Sequence, residues 1–347
     1  MNKEKSVMRE QNVTVVIVSY KTALLTIDSL KSVESELKVG NLKVNAIVID
    51  NDSGDEPIIQ NAVTLNRWAD WVTVIKAPYN GGFAYGNNLA FKYALDKNDV
   101  DFFLLLNPDA QLRANAIGAL VDFLNLHPKV GIAGSSFENA DGSLWPIAFR
   151  FPSLFSEIES GLQLSLLSNI MRKWVVPVTM QQDYPTEIDW IAGASMMLRA
   201  TLVKQLRGFD EGYFLYYEET DLCLRAKRLG FSTWYVPNSR VMHIAGQSTK
   251  VTIRDAKPKR LPAYLFESRR RYFSVNHGVL YAIFTDLIAI FSQLLGKFKR
   301  IIIGKSNQDI PYFIRDLATH SAIFSSCAKI KPFSSSLVSV DSSKKNT

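Results

Sequence analysis

The sequence predicts an α/β protein on a doubly wound, mostly parallel sheet flanked by helices, and two observations carry that prediction. Short β-branched runs recur through the first third at residues 13–18, 44–50, 71–76 and 102–106, each bounded by polar or glycine-rich turns, as strands buried on both faces are. Helically spaced segments separate them, and strand, helix and strand in alternation imply parallel pairing with helices on the faces. At 347 residues, with 47% hydrophobic and 21% charged, the chain is long enough for a large core and is not mainly disordered.

The elements follow in order. Residues 1–12 are polar and charged and read as a flexible start, and the apolar run after them is too short for a signal-peptide core. Leu24, Ile27, Leu30, Val33 and Leu37 give residues 22–37 a helical stripe, and residues 83–95 form the next helix. Residues 135–189 are less periodic, with Pro146, Pro152, Pro177 and Pro185 and an amphipathic piece at 154–170, and read as an inserted, partner-facing region. Order returns at 190–199, followed by a helix at 201–206, a turn at Gly208, a helix at 219–229 and a strand at 232–236. Residues 262–300 read as two helices, the second apolar and closed by Lys297, Lys299 and Arg300. Its stretch 279–295 contains Asp286 and Gln293, which favours an interfacial or buried helix over a membrane span. The serine- and lysine-rich end reads as a disordered tail. The expected division is therefore 1–12, a main domain at 13–255 with halves at about 13–134 and 135–255, C-terminal helices at 256–303 and an irregular tail at 304–347.

Charge and cysteine content exclude several classes. Lysine and arginine number 40 against 33 acidic residues, a net +7 that suits anionic partners, but no long basic stripe marks a nucleic-acid binder. Cys223 and Cys327 form no CxxC pair, so a disulfide framework and a structural zinc are not expected and a reducing cytoplasm fits. The GxGxxG and GK[ST] patterns are absent, which argues against a dehydrogenase and a nucleotide hydrolase.

In doubly wound sheets ligands sit at the carboxyl ends of the strands, and four such ends are polar here. Ser19-Tyr20-Lys21 closes the first run and Asp50-Asn51-Asp52-Ser53-Gly54-Asp55 the second; there an acceptor can take a nucleobase N–H, or the residues can simply build a turn. Asn80 to Asn88 (NGGFAYGNN) is glycine-rich before a helix, where backbone approaches an anionic ligand closely or caps a helix packed on a strand. Asn107-Pro108-Asp109 puts an amide and a carboxylate two residues apart on one side of a strand tip, suiting a divalent cation on a diphosphate, or an ordinary turn. Glu218, Glu219 and Asp221 open a helix as acidic first-turn residues do, and Asp221 and Arg225 are spaced i, i+4 for an ion pair.

In order, VSYK, IDNDSGD, NGGFAYGNN, LLNPDA, GASMMLR and GFDEGYFLYYEETDLCLR resemble the family 2 glycosyltransferases of the GT-A fold, especially bacterial rhamnosyltransferase-like members, over residues 13–248. The resemblance implies a catalytic GT-A domain at 13–255 whose first half holds a nucleotide sugar and whose second half faces the acceptor. By it Asp50 holds the base, Ser19 and Tyr20 line the nucleotide, and Asp52, Gly82 and Asn87 belong to the same wall. Asn107 replaces the first aspartate of the family's Asp-x-Asp motif and can bond a ribose hydroxyl, leaving Asp109 as the ligand of Mn²⁺ or Mg²⁺. His243, 24 residues beyond Glu219, is implied as a second ligand. Glu219, where the family more often has aspartate, is implied as the catalytic base, with Glu218 as the alternative. Asp189, Trp190, Gly193 and Ala194 match the segment bordering donor sugar and acceptor, and also read as a buried strand with a tight glycine contact. Trp145, Arg150 and Phe151 are acceptor candidates, and residues 247–250 a flap or a plain loop.

The implied activity is inverting, metal-dependent transfer by single displacement. Its donor is a nucleoside-diphosphate sugar, favoured as dTDP-L-rhamnose, and its acceptor a hydroxyl of a cell-surface glycan or lipid-linked saccharide. A different donor such as a UDP-hexose, and a catalytically silent GT-A scaffold suggested by Asn107 and Glu219, are the alternatives. The basic run Ser268 to Phe273 beside the apolar helix suits either an anionic membrane surface across 268–300, placing the protein peripherally on the cytoplasmic face, or packing on the catalytic domain or a second copy.

Overall fold

The computed structural model describes residues 10–37, 42–97, 99–139, 142–145, 148–162, 171–178, 184–243, 258–304, 309–324 and 332–337. The expected runs form β1 (Gln11–Ser19), β2 (Leu42–Asp50), β3 (Val72–Lys76) and β4 (Phe102–Leu106), all parallel in the order β3-β2-β1-β4. Helices Ala23–Glu36, Glu56–Leu65 and Gly82–Asp96 connect them, as parallel pairing requires. In this register Ser19 lies beside Asp50 and Asp50 beside Lys76, so the strand ends form one polar rim.

The second half follows through β5 (Ala110–Leu112), β6 (Val130–Glu138), β7 (Leu144–Trp145), β8 (Ala148–Phe149), β9 (Thr186–Ile188), β10 (Trp190–Ile191), β11 (Ser195–Arg199) and β12 (Ser232–His243). β11 runs antiparallel between β4 and β6, while β12 lies parallel to β6 and antiparallel to β5, completing the order β3-β2-β1-β4-β11-β6-β12-β5. The sheet is thus mixed, mostly parallel in its first half, with helices on its faces.

Two expectations are corrected. The stretch 190–199 is two strands, β10 and β11, separated by Ala192-Gly193-Ala194. β12 continues through what read as a strand and a separate tip at 241–242, because a register shift between Val236 and Arg240 accommodates Pro237, which has no N–H for the ladder. The middle, expected to be less periodic, contains β7, β8, β9 and the helix Leu154–Leu162 among its described residues. The expected C-terminal pair is present as helices Ala263–His277 and Val279–Ile302.

Candidate active site

The rim formed by β1 and β2 is braced from within. Asp50 is fully buried and its Oδ1 accepts the Ser53 N–H (2.9 Å) and Oγ–H (2.6 Å), while Oδ2 accepts the Glu56 N–H at 3.1 Å. Burial alone raises this carboxyl, but the hydrogen bonds from Ser53, Glu56 and Gly54 outweigh it and hold the pKa below the ordinary range. Ser19 is also fully buried, donating to Asp55 Oδ2 at 2.7 Å and accepting from Thr26 at 3.0 Å, while Asp55 accepts the Thr22 N–H at 2.8 Å. Ser19 therefore ties β1 to the loop after β2 instead of lining a ligand surface with its hydroxyl. Tyr20, 40% exposed, Lys21 and Asp52 are exposed here.

The glycine-rich loop couples this rim to the acidic helix. Asn51 donates to Asn80 Oδ1 (3.0 Å) and the Gly82 carbonyl (3.2 Å). Gly82 has φ +83°, and a Cβ there would lie 1.9 Å from the Phe214 carbonyl oxygen, which also accepts the Phe83 N–H at 3.0 Å. Only glycine lets the loop press on the segment leading into helix Glu218–Arg228. Asn87 faces inward: it is buried, and its amide donates to the Phe83 carbonyl one turn earlier at 2.9 Å. Its Oδ1 is buried without a hydrogen-bond partner among the described residues.

Around the end of β4 the expected residues converge. Asn107 donates its backbone N–H to the Ala194 carbonyl at 3.0 Å. His243 ends β12 opposite Ala110 of β5, which brings its Nε2 to 3.1 Å from Asp109 Oδ1, both residues being buried. A carboxylate oxygen and an imidazole nitrogen this close suit Mn²⁺ or Mg²⁺. Among the described residues no third His, Cys, Asp or Glu joins them, so further ligands would come from a bound substrate or water.

Glu219 sits in the first turn of helix Glu218–Arg228, and its Oε1 accepts the Gly193 N–H at 3.1 Å. A Cβ at Gly193 would lie 3.1 Å from that Oε1 and 3.0 Å from Phe83 Cζ, so the bare backbone allows the contact. Burial raises Glu219 above the usual carboxylate range, only partly offset by its own backbone N–H and that of Gly193. Glu218 is raised further, first by burial and then by the Glu219 charge, and its Oε2 is buried without a hydrogen-bond partner. Tyr216 and Tyr217 precede this helix at φ +70° and +68°, a costly conformation for bulky residues that clusters at functional sites. Arg225 holds the helix as its spacing implied, bonding Asp221 Oδ2 at 2.7 Å and the carbonyls of Leu206 and Gly208.

One cavity of about 650 Å³ gathers Asn107, Asp109, Trp190, Gly193, Ala194, Glu219 and His243 in its lining. Asp189 is not among them: it pairs with Lys227 at 2.7 Å and accepts the Phe151 N–H at 3.0 Å, so it braces the cavity wall from outside. Trp190 stacks on Phe149 at 4.3 Å and donates Nε1–H to the Arg150 carbonyl at 2.9 Å. Lys227 lies over the Phe151 ring at 5.4 Å. Trp145 is placed only as part of β7, and residues 247–250 lie outside the described residues.

Sequence reasoning missed Tyr216, Tyr217, Arg269, Gln293 and Phe313, which also line this cavity. It left the run around Arg269 and Arg271 open between a membrane surface and packing on the catalytic domain or a second copy. Both are buried, Arg269 between Glu157 and Asp286 and Arg271 against Asp210. The nearby carboxylates that claim them are remote in sequence, and only the run's interruption by Tyr272 and Phe273 hinted at a buried face.

A mixed, mostly parallel sheet flanked by helices, with a cavity at its strand ends, is the architecture of the GT-A glycosyltransferase fold. The family model described as "Glycosyltransferase like family 2" matches residues 10–258, and the chain belongs to that family. A curated relative, the N-acetylglucosaminyl-diphospho-decaprenol L-rhamnosyltransferase of Mycobacterium tuberculosis, is 33% identical over 152 residues, covering 43% of this chain and 48% of that protein. The match thus spans about half of that relative's length. The dTDP-rhamnosyl transferase RfbF of Shigella flexneri is 23% identical over 272 residues, covering 78% of this chain and 79% of its own. Among solved structures, GalNAc-T7 with UDP, GalNAc and Mn²⁺ aligns with a TM-score of 0.56 at 14% identity, over 90% of this chain and 57% of that one, a likeness of fold.

Proposed function

We propose that the chain is an inverting glycosyltransferase that moves a sugar, L-rhamnose from dTDP-rhamnose by likeness to its relatives, onto a hydroxyl of a lipid-linked saccharide at the cytoplasmic face. The observation that carries the reading is the convergence of Glu219 with the Asp109–His243 pair in one cavity. Glu219 takes the proton of the acceptor hydroxyl as that oxygen bonds the anomeric carbon from the face opposite the diphosphate. In the same step the anomeric carbon–oxygen bond to the diphosphate breaks, and the nucleoside diphosphate departs with its electrons. The Gly193 N–H holds one Glu219 oxygen and leaves the other for the acceptor. Burial keeps the carboxylate basic enough to receive the proton. Asp109 and His243 would hold Mn²⁺ or Mg²⁺, which when bound supplies positive charge to the departing diphosphate.

A thermal-shift panel of dTDP, UDP and GDP with and without Mn²⁺ tests this, because a ligand bound only by the folded state raises the melting temperature. A metal-dependent shift with dTDP that disappears in Asp109→Ala is the expected result. A shift with UDP or GDP alone reassigns the donor, and no shift with any of them overturns the reading in favour of a silent scaffold.

A further inference from the structure

Helix Val279–Ile302 turns its apolar side away from the protein. Ala282, Thr285, Asp286, Ala289, Ser292 and Gly296 are its buried residues. Leu280, Phe284, Leu287, Phe291, Leu294 and Phe298 alternate at spacings of four and three on the opposite side, each at least half exposed. At 24 residues the helix is about 36 Å long, and so long an exposed apolar stripe marks an interaction surface. The buried side is fastened to the domain: Asp286 pairs with Arg269 and accepts the Ala322 N–H at 2.6 Å. By length and composition the helix is apolar enough to cross a membrane, but with one side fastened to the domain it suits lying along a lipid surface.

Beside this helix a cleft of about 750 Å³ is lined by Lys297, Arg300 and Arg315 against the single carboxylate of Asp309. Arg300 pairs with Asp309 and the half-exposed Arg315 with Asp316 at a long 3.5 Å, while Lys297 carries no salt bridge among the described residues. Gln293 and Phe313 line both this cleft and the cavity that contains Glu219. A basic cleft between this helix and helix Phe313–Thr319, an exposed hydrocarbon-like stripe and a shared wall with the catalytic cavity thus meet at one helix.

We propose that this cleft seats the diphosphate of a lipid-linked acceptor, with Lys297 and Arg315 holding the anion, the hydrocarbon chain leaving along the exposed stripe and the saccharide passing Gln293 and Phe313 toward Glu219. The inference rests on the transfer reading above and adds the place where the acceptor's lipid end binds. Phosphate oxygens favour charge-assisted contacts with lysine and arginine, and the apolar stripe gives the chain a surface to bury against.

Binding of farnesyl diphosphate to the full chain, in the presence of dTDP and Mn²⁺, is the test, with farnesol and inorganic diphosphate as separate arms. Farnesyl diphosphate is expected to bind at least tenfold tighter than either fragment, and at least tenfold weaker to the double variant Lys297→Glu/Arg315→Glu. That variant is expected to retain the dTDP shift, which shows that it is folded. Unchanged affinity in the variant, or displacement of farnesyl diphosphate by dTDP with Mn²⁺, overturns the proposal, the latter by placing the diphosphate at Asp109 and His243. Absence of any dTDP shift in the wild-type chain overturns the transfer reading instead. A dimer by light scattering that Phe291→Ser dissolves would show a second copy on the stripe and overturn the lipid assignment.

Discussion

Glu218 and Glu219 are adjacent carboxylates in different surroundings. Glu219 has the Gly193 N–H and the cavity, whereas Glu218 has a buried oxygen with no hydrogen-bond partner and a charged neighbour. Glu219→Gln is expected to abolish transfer while leaving the dTDP shift intact, and Glu218→Gln to retain transfer, as steady-state kinetics would show. Glu219 must be ionised to take a proton and burial has raised its pKa. The acidic limb of the wild-type rate profile is therefore expected above the ordinary glutamate value of 4.5. For Glu218 the sign follows from linkage: a folded pKa raised above the unfolded one stabilises only at low pH, and that contribution is lost as pH rises through the folded value. Glu218→Gln is thus expected to raise stability at neutral pH, by about 1.4 kcal/mol for each unit of the raised pKa, and to show no gain in acid. Urea titrations at two pH values would check this, and a Glu218→Gln variant that loses transfer but keeps donor binding would exchange the two roles.

At the scale of elements, the acidic helix is positioned by ionic ties. Asp221 and Arg225 fix it internally, and Arg271 of helix Ala263–His277 grips Asp210 at 2.6–3.1 Å in the loop before it, both residues buried. Removing one partner of a buried pair leaves the other charge uncompensated. Arg271→Met is therefore expected to cost about 3–5 kcal/mol, measured by chemical denaturation, with Asp210→Asn in the same chain recovering part of the loss. Local pattern made the first four strands legible, because buried parallel strands are apolar runs and their polar ends stand out. It also made the Asp221–Arg225 tie legible, since i, i+4 neighbours meet on any helix. The pairing of Arg271 with Asp210 joins residues 61 apart, and nothing in either neighbourhood announces it. Burial of Ser19 and Asn87 was equally hidden: a hydroxyl or amide at a strand or helix end has the same local sequence whether it faces a ligand or the turn beside it.

At the scale of the molecule, the family match ends at residue 258 while the cavity does not. Leu265, Phe266 and Arg269 of one C-terminal helix, Gln293 of the next, and Phe313 and Leu317 close it. A floor from the family-matched region thus meets a wall from the C-terminal helices. Arg269 joins the two, paired with Glu157 of helix Leu154–Leu162 at 3.1 Å and with Asp286 of the apolar helix, all three side chains largely buried. Burial opposes its charge, but these carboxylates and Tyr217 outweigh that and raise its pKa above the arginine norm, so the guanidinium stays charged throughout. Arg269→Met would leave Glu157 and Asp286 facing one another without a cation, which for a broken buried network costs about 3–5 kcal/mol at neutral pH. Protonating either carboxylate removes the orphaned charge, so the deficit relative to wild type is expected to narrow as pH falls. Glu157→Gln/Asp286→Asn on the Arg269→Met background is expected to recover much of the loss at neutral pH, because no orphaned charge then remains. Denaturation of the single and triple variants at neutral and acid pH checks both statements. A deficit independent of pH would mean that Arg269 acts by packing its stem against Phe273, over whose ring it lies at 5.0 Å, rather than by holding the two halves of the cavity together through charge.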